Sequence, residues 1–192
     1  MKKILLISIF FFISALSAQA NEIKRIFVGN ESAKISIIAF ESLTCSYCAK
    51  FHQDVYPLLK KEFLDTGLAK IEFRHFPLDI AAFNASKVAQ CTNDGNLEIL
   101  ESLYANQQKW VKGSSIEEAN INLQKFLSKE GFNIDFESCI NNKQIEDFVL
   151  NDRIDGAKNF KVNATPTIII NNKKFEKTLN YKNLKKALEK LI

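Results

Sequence analysis

Hydrophobic positions along this chain follow two rhythms that replace one another several times. Ile35-Ser36-Ile37-Ile38-Ala39-Phe40 is a short, mostly β-branched and apolar run, the pattern of a buried strand. From Cys48 the spacing turns helical. Cys48, Phe51, Val55 and Leu58/Leu59 form one stripe of a 3.6-residue helix, with Lys50, Gln53, Asp54, Lys60 and Lys61 off it. Gly67 is placed to end that helix. Upstream, Ile23 to Val28 reads as a strand and Gly29-Asn30 as a turn; the buried strand then spans Lys34 to Phe40. Downstream, Ala69 to Phe76 alternates well enough for another strand, stopped by Pro77, with His75 at the strand end rather than in a ligand set.

Between Asp79 and Phe160 the pattern is helical. Ala81, Ala82, Ala85, Val88 and Ala89 give a face of small residues, and Leu97, Leu100 and Tyr104 continue the spacing to near Trp110. After a break at Lys112-Gly113-Ser114, Ser115 and Glu118 form a capping box for a helix burying Ile116, Ala119, Leu123 and Phe126/Leu127. Phe136 and Ile140 flank Cys139 on a short helix, and Ile145, Phe148 and Val149 begin a longer one. Strand character returns at Pro166 to Ile170, with a turn at Asn171-Asn172 and a hairpin partner at Lys173 to Phe175. Leu184, Ala187, Leu188 and Leu191 mark a terminal amphipathic helix. The order βαβ, then helices over about 79–160, then ββα, is that of an α/β, thioredoxin-like fold with an inserted all-helical region.

The N-terminus changes the picture of compartment. Met1-Lys2-Lys3 is basic, Ile4 to Leu16 is almost wholly apolar, and Ala18-Gln19-Ala20 fits a cleavage site before Asn21. The apolar run is shorter than the ~20 residues a spanning helix needs. Residues 1–20 therefore read as a signal peptide cleaved after Ala20. Residues 21–192 read as one thioredoxin-like domain exported to an oxidising compartment, where disulfides persist. The formal charge of +4 falls to +2 without Lys2 and Lys3, too near balance to imply nucleic acid or an anionic membrane as partner.

The chemistry concentrates at Cys45-Ser46-Tyr47-Cys48, on the junction between the buried strand and the helix. Cys45 stands at the helix mouth, where unpaired N–H groups and the positive end of the dipole favour a thiolate. Cys48, one turn on, opens the buried stripe and can attack a mixed disulfide from within. An acidified nucleophile beside a shielded resolving thiol equips the chain for thiol–disulfide exchange. A zinc or copper site using Cys45, Cys48 and His52 is the rival from another class. It lacks the fourth ligand of a structural zinc site, since Cys91 and Cys139 are singletons. His52 otherwise reads as helix surface or packing. No metal or other cofactor is expected, the redox-active Cys45–Cys48 disulfide serving instead.

Four segments together resemble the DsbA-type periplasmic thiol:disulfide oxidoreductases over nearly the whole mature length. They are Val28-Gly29-Asn30, Ser42 to Cys48, Phe73 to Asp79 (Phe-Arg-His-Phe-Pro-Leu-Asp), and Ala164-Thr165-Pro166-Thr167. The resemblance implies Cys45 as nucleophile, Cys48 as resolving thiol, and Pro166 in cis, preceded by Thr165, facing them. From the residues alone a trans proline opening a strand is the expectation. The resemblance further implies a dithiol oxidase that gives its disulfide to reduced secreted polypeptides. A quinone-linked membrane partner of the DsbB type would reoxidise it.

Two departures qualify this. The family often carries Glu six residues before the first cysteine, where it moves protons for the buried thiol. Ala39 stands there, and Glu41, the nearest acid, is either its substitute or a solvent-facing side chain. The dipeptide Ser46-Tyr47 lacks the His of strongly oxidising relatives, and Tyr47 with Thr165 also resembles isomerase relatives. An isomerase or reductase kept reduced is thus the rival enzyme. Those relatives are dimers with an extra N-terminal domain, for which Asn21 to Phe27 leaves no room, so a monomer is expected. Cys91 and Cys139 would close a loop of 49 residues, about 4 kcal/mol in the chain-entropy estimate against about 2 for Cys45–Cys48. Some relatives carry an extra disulfide in the helical region, so Cys91–Cys139 reads as a structural bridge, two buried free thiols being the alternative.

Overall fold

The computed structural model describes residues 22–192; the expected leader at residues 1–20 lies outside the described residues. Five strands form one mixed sheet in the order β1-β3-β2-β4-β5. They are β1 (Ile26–Gly29), β2 (Ile35–Glu41), β3 (Ala69–His75), β4 (Thr167–Ile170) and β5 (Lys173–Lys174). Only the β2–β3 pair is parallel, and parallel neighbours need a crossover. That crossover is α1 (Ser46–Asp54), α2 (Tyr56–Leu59) and a wider π turn at Lys60–Leu64.

The expected single helix is thus segmented. Pro57 has no N–H and sits in the first turn of α2, the one place where that loss is harmless, so the helix restarts around it. The restart turns Leu58 outward, 42% exposed, and leaves Leu59 to carry the burial. The first strand is shorter than its apolar run. Lys24 N–H donates to Asn93 Oδ1 and Lys24 O accepts from Gln90 Nε2, so this stretch pairs with a helix end instead of the sheet.

The period of two in β2 divides the core. Ile35, Ile37 and Ala39 face the larger cluster, shared with Cys48, Phe51 and Leu59, while Ile38 and Phe40 face a smaller one with Phe76, Val162 and Ile169. Between β3 and β4 come α3 (Ile80–Gln90), α4 (Glu98–Ala105), α5 (Gln107–Trp110), α6 (Ile116–Lys129), α7 (Phe136–Asn141) and α8 (Lys143–Asn159). The expected run to Trp110 breaks at residues 91–97, where Asn93 and Gly95 take positive φ. At α6, Ser115 Oγ accepts from Glu118 N–H, but Glu118 Oε2 accepts from Ser114 N–H rather than Ser115. Cys91, capping the C-terminus of α3, is disulfide-bonded to Cys139 on α7. α9 (Tyr181–Leu188) buries Leu184 and Leu188.

α8 covers the smaller face and is held there in two ways. Asp152, wholly buried, pairs with Arg25 and accepts from the His75 N–H, while Arg74 pairs with Asp155. Gly156 then lets the helix touch the sheet: a Cβ there would lie 2.8 Å from Phe40 Cε1 and 3.1 Å from Phe76 Cδ2. No helix among the described residues is long and apolar enough to cross a membrane. Gly156→Ala should overpack this contact and cost about 1–3 kcal/mol. Denaturant unfolding at neutral pH checks it, and a variant as stable as the parent would show that α8 yields freely.

Candidate active site

The site begins where β2 ends. Glu41 is the last strand residue, a tight turn follows in which Cys45 N–H donates to Ser42 O at 3.0 Å, and α1 starts at Ser46. Cys45 is the N-cap, extended at φ −78° and ψ 118°, and its carbonyl accepts the first helix bonds from Cys48 and Ala49 N–H. Cys45 is partly exposed and Cys48 wholly buried, and both are free thiols. Across from them the Thr165–Pro166 peptide is cis. The Cys45 thiol donates to Thr165 O at 3.3 Å, while Thr165 Oγ1, buried and otherwise unpartnered, is left to donate to the thiolate.

Environment separates the two thiols chemically. The hydrogen bond from Cys48 lowers Cys45 to about 5, against some opposing desolvation, with Thr165 and the N–H groups of Cys48 and Tyr47 adding to the depression. Burial pushes Cys48 far up, and so do its bond to Cys45 and the negative charge of Glu41. The depression exceeds the ~1 unit that a helix mouth alone supplies. The Cys48 thiol is the largest cause of the excess, a partner that spacing alone does not reveal. Tyr47 contributes through its backbone, its side chain being 73% exposed.

Glu41 is buried, not solvent-facing. It stands two residues beyond Ala39, and a strand period of two keeps it on the same side, one pleat nearer the helix mouth. Its Oε2 meets His52 Nε2 at 2.8 Å, and its Oε1 and His52 Nδ1 are buried without partners. His52 is therefore not helix surface. Its side chain is 6% exposed and stacks on Tyr104 with ring centroids 4.2 Å apart. It also borders a groove of about 900 Å³ between α1 and the α4–α5 corner. Among the described residues no three His, Cys, Asp or Glu side chains form a metal-ligand group, and His52 Nε2 is taken up by Glu41.

A strand-to-helix dithiol opposite a cis-proline loop, on a five-stranded mixed sheet with inserted helices, defines a thioredoxin-fold dithiol protein. The family model described as thioredoxin matches residues 21–190, and the chain belongs to that family. It is similar to the crystal structure of Wolbachia pipientis alpha-DsbA1, with a TM-score of 0.77 and 26% identity over 87% of this chain and 90% of that one. Disulfide bond formation protein D of Bacillus subtilis is 26% identical over 174 residues, 85% of this chain and 75% of that protein. A Rickettsia typhi protein, named provisionally as a protein-disulfide oxidoreductase, is 25% identical over 171 residues, 86% of this chain. The match spans about three fifths of that relative, 61%.

The acidified thiol gives a signed pH dependence. The folded value of Cys45, about 5, lies below the ordinary thiol value near 8.5, so its ionisation stabilises the reduced fold. That contribution is complete above about pH 8.5, shrinks as pH falls, and is gone below about 5. Between pH 8 and 5 the reduced protein should lose more stability than Cys45→Ser does. Parallel denaturation curves for the two across that window would refute the assignment.

Proposed function

We propose that this protein is a thiol:disulfide oxidoreductase that passes a Cys45–Cys48 disulfide to reduced, exported polypeptides. The observation that carries the reading is the opposition of the two thiols, an accessible one lowered to about 5 beside a buried one pushed far up. A substrate thiolate attacks Cys45 Sγ, the sulfur that is reachable. The Cys45–Cys48 bond breaks, a Cys45–substrate disulfide forms, and the electron pair leaves on Cys48. A second substrate thiolate then forms the substrate disulfide and expels Cys45 as a stable thiolate. The substrate loses two electrons and the enzyme dithiol gains them. A depressed Cys45 favours the reduced enzyme and so makes the disulfide an oxidant, which supports oxidase over isomerase or reductase.

Cys48 leaves into an apolar site that disfavours its charge, so a proton must reach it. Glu41 supplies that proton and takes it back when Cys48 attacks, with His52 holding the carboxyl on the side of the groove. Its free Oε1 and the influence of its charge on Cys48 support this role. It replaces the family's acid at the position of Ala39. Thr165 and Pro166 would present the substrate backbone to Cys45, and Ser46 and Tyr47 form the contact surface. The Cys91–Cys139 disulfide would be structural. A monomer in the periplasm, delivered by the residue 1–20 leader and reoxidised by a quinone-linked membrane partner of the DsbB type, completes the proposal. The in vivo redox state of Cys45 separates oxidase from reductase.

Given excess glutathione disulfide, reduced Cys48→Ser should accumulate a Cys45–glutathione mixed disulfide, one glutathione leaving as thiolate and no resolving thiol following, and Cys45→Ser should form none. Multiple turnover by Cys48→Ser would overturn the reading. Glu41→Gln should slow Cys48-dependent resolution about 100-fold, the lower end of general acid–base effects, without abolishing the first attack. Single-turnover quench kinetics measure both steps, and an unchanged resolution rate would remove Glu41 from the mechanism.

A further inference from the structure

The turn that delivers the nucleophile is held almost entirely by residues outside the thioredoxin sheet. Ser42 Oγ accepts from Leu78 N–H at 3.2 Å, and Thr44 Oγ1 donates to Asp79 Oδ2 at 2.7 Å. Asp79 uses its other oxygen to cap α3, accepting from Ala82 N–H at 2.7 Å. From the opposite side, Gln107 at the start of α5 sends its side-chain amide into the turn. Its Nε2 donates to Leu43 O at 2.7 Å and to Cys45 O at 3.1 Å. Each residue from Ser42 to Cys45 therefore has a partner contributed by the segment after β3.

The Gln107 contact bears most directly on the chemistry. The Cys45 carbonyl already accepts the N–H groups of Cys48 and Ala49, each at 3.1 Å, and Gln107 is its third donor. That carbonyl fixes how the Cys45 peptide turns into α1, and the turn decides whether the Tyr47 and Cys48 N–H groups aim at Sγ. One amide group, using both of its hydrogens, spans the carbonyls of residues 43 and 45 and so fixes the Leu43–Thr44 and Cys45–Ser46 peptides.

We propose that Gln107 is a positioning residue for the exchange reaction: its carboxamide locks the Leu43–Cys45 turn so that the helix-mouth N–H groups stay aimed at the Cys45 sulfur. The inserted helices then help set the redox poise instead of merely covering the sheet. Gln107 touches no reacting atom; it acts through the Cys45 peptide. The proposal rests on the exchange reading above and adds to it a residue from the insertion.

The test uses the full mature chain in its reduced form. Gln107→Ala, and Gln107→Met, which keeps the length without the donors, should raise the midpoint of the Cys45 thiolate absorbance by about half to one unit. The equilibrium with glutathione should shift toward the enzyme disulfide by roughly three- to tenfold, making that disulfide a weaker oxidant. Gln107→Glu should move both quantities further in the same direction, since an ionised carboxylate has no donor and sets a charge beside the carbonyls. Lys109→Ala, on the same short helix but paired outward with Glu130, should change neither. A folded Gln107→Met with parental thiolate midpoint and parental glutathione equilibrium overturns the proposal. Failure of the exchange reading looks different, because the parent itself would then show no thiolate titrating near pH 5.

Discussion

The interaction on which this site depends is the hydrogen bond that Cys48 gives to the Cys45 sulfur. Two thiols of identical intrinsic chemistry stand three residues apart, and this bond works on both in opposite senses. It stabilises charge on the outer sulfur and holds the proton on the inner one. The fold supplies the geometry by ending β2 at the helix mouth. One residue of the motif becomes the N-cap and the other becomes the first member of the buried stripe. Burial of Cys48 is thus chemical as well as structural. A more exposed inner thiol would ionise more readily and donate less well, and the outer thiolate would lose its first partner.

That arrangement places a polar cluster under the dithiol, where a polar group without partners costs free energy. Glu41, His52, Tyr56 and Tyr104 meet between α1, β2 and α4, and each of the first three keeps a buried polar atom without a hydrogen-bond partner. A fold selected for stability alone would fill this space with aliphatic side chains. A site that must move a proton to and from a buried sulfur needs an acceptor held free. The stacked rings of His52 and Tyr104 provide the packing that the polar atoms do not.

How much of this was legible in the chain depends on the range of the interaction concerned. The strand-to-helix junction at Cys45–Cys48 was plain, because periodicity switches from 2 to 3.6 at that point and both rhythms are local. The order of strands and helices was equally plain for the same reason. What escaped depends on partners far apart in sequence. One helix was expected from Cys48 to Gly67, but α2 restarts around Pro57, and Leu58 falls off the buried stripe as a result. Glu41 read as either the substitute for the family acid or a solvent-facing side chain, although the alternation from Ala39 places it on the core side. His52, four residues after Cys48, borders the Cys48–Phe51–Val55 stripe and read as either helix surface or packing. Only the α4 wall with Tyr104 makes its side of the helix interior. Gly156 gave no signal at all, since its requirement comes from Phe40 and Phe76, far upstream in the sequence.

The position of the acid shows how much freedom such a site has. A carboxyl at the place of Ala39 would sit one pleat deeper in β2, within the larger core cluster. At Glu41 it lies at the strand end, on the same side but level with the first turn of α1. Moving it outward by two residues preserves the face and alters the depth, because a strand alternates strictly. The shift also brings it within reach of His52 Nε2, on the first helix turn after Cys48. Ala39 lies in the larger core cluster with Leu43 and Phe51. On the proposed reading, Ala39 and Glu41 are one solution with two parts. Exchanging them should restore a family-like arrangement only if His52 gains a new partner, since the carboxylate that now holds it would have moved away.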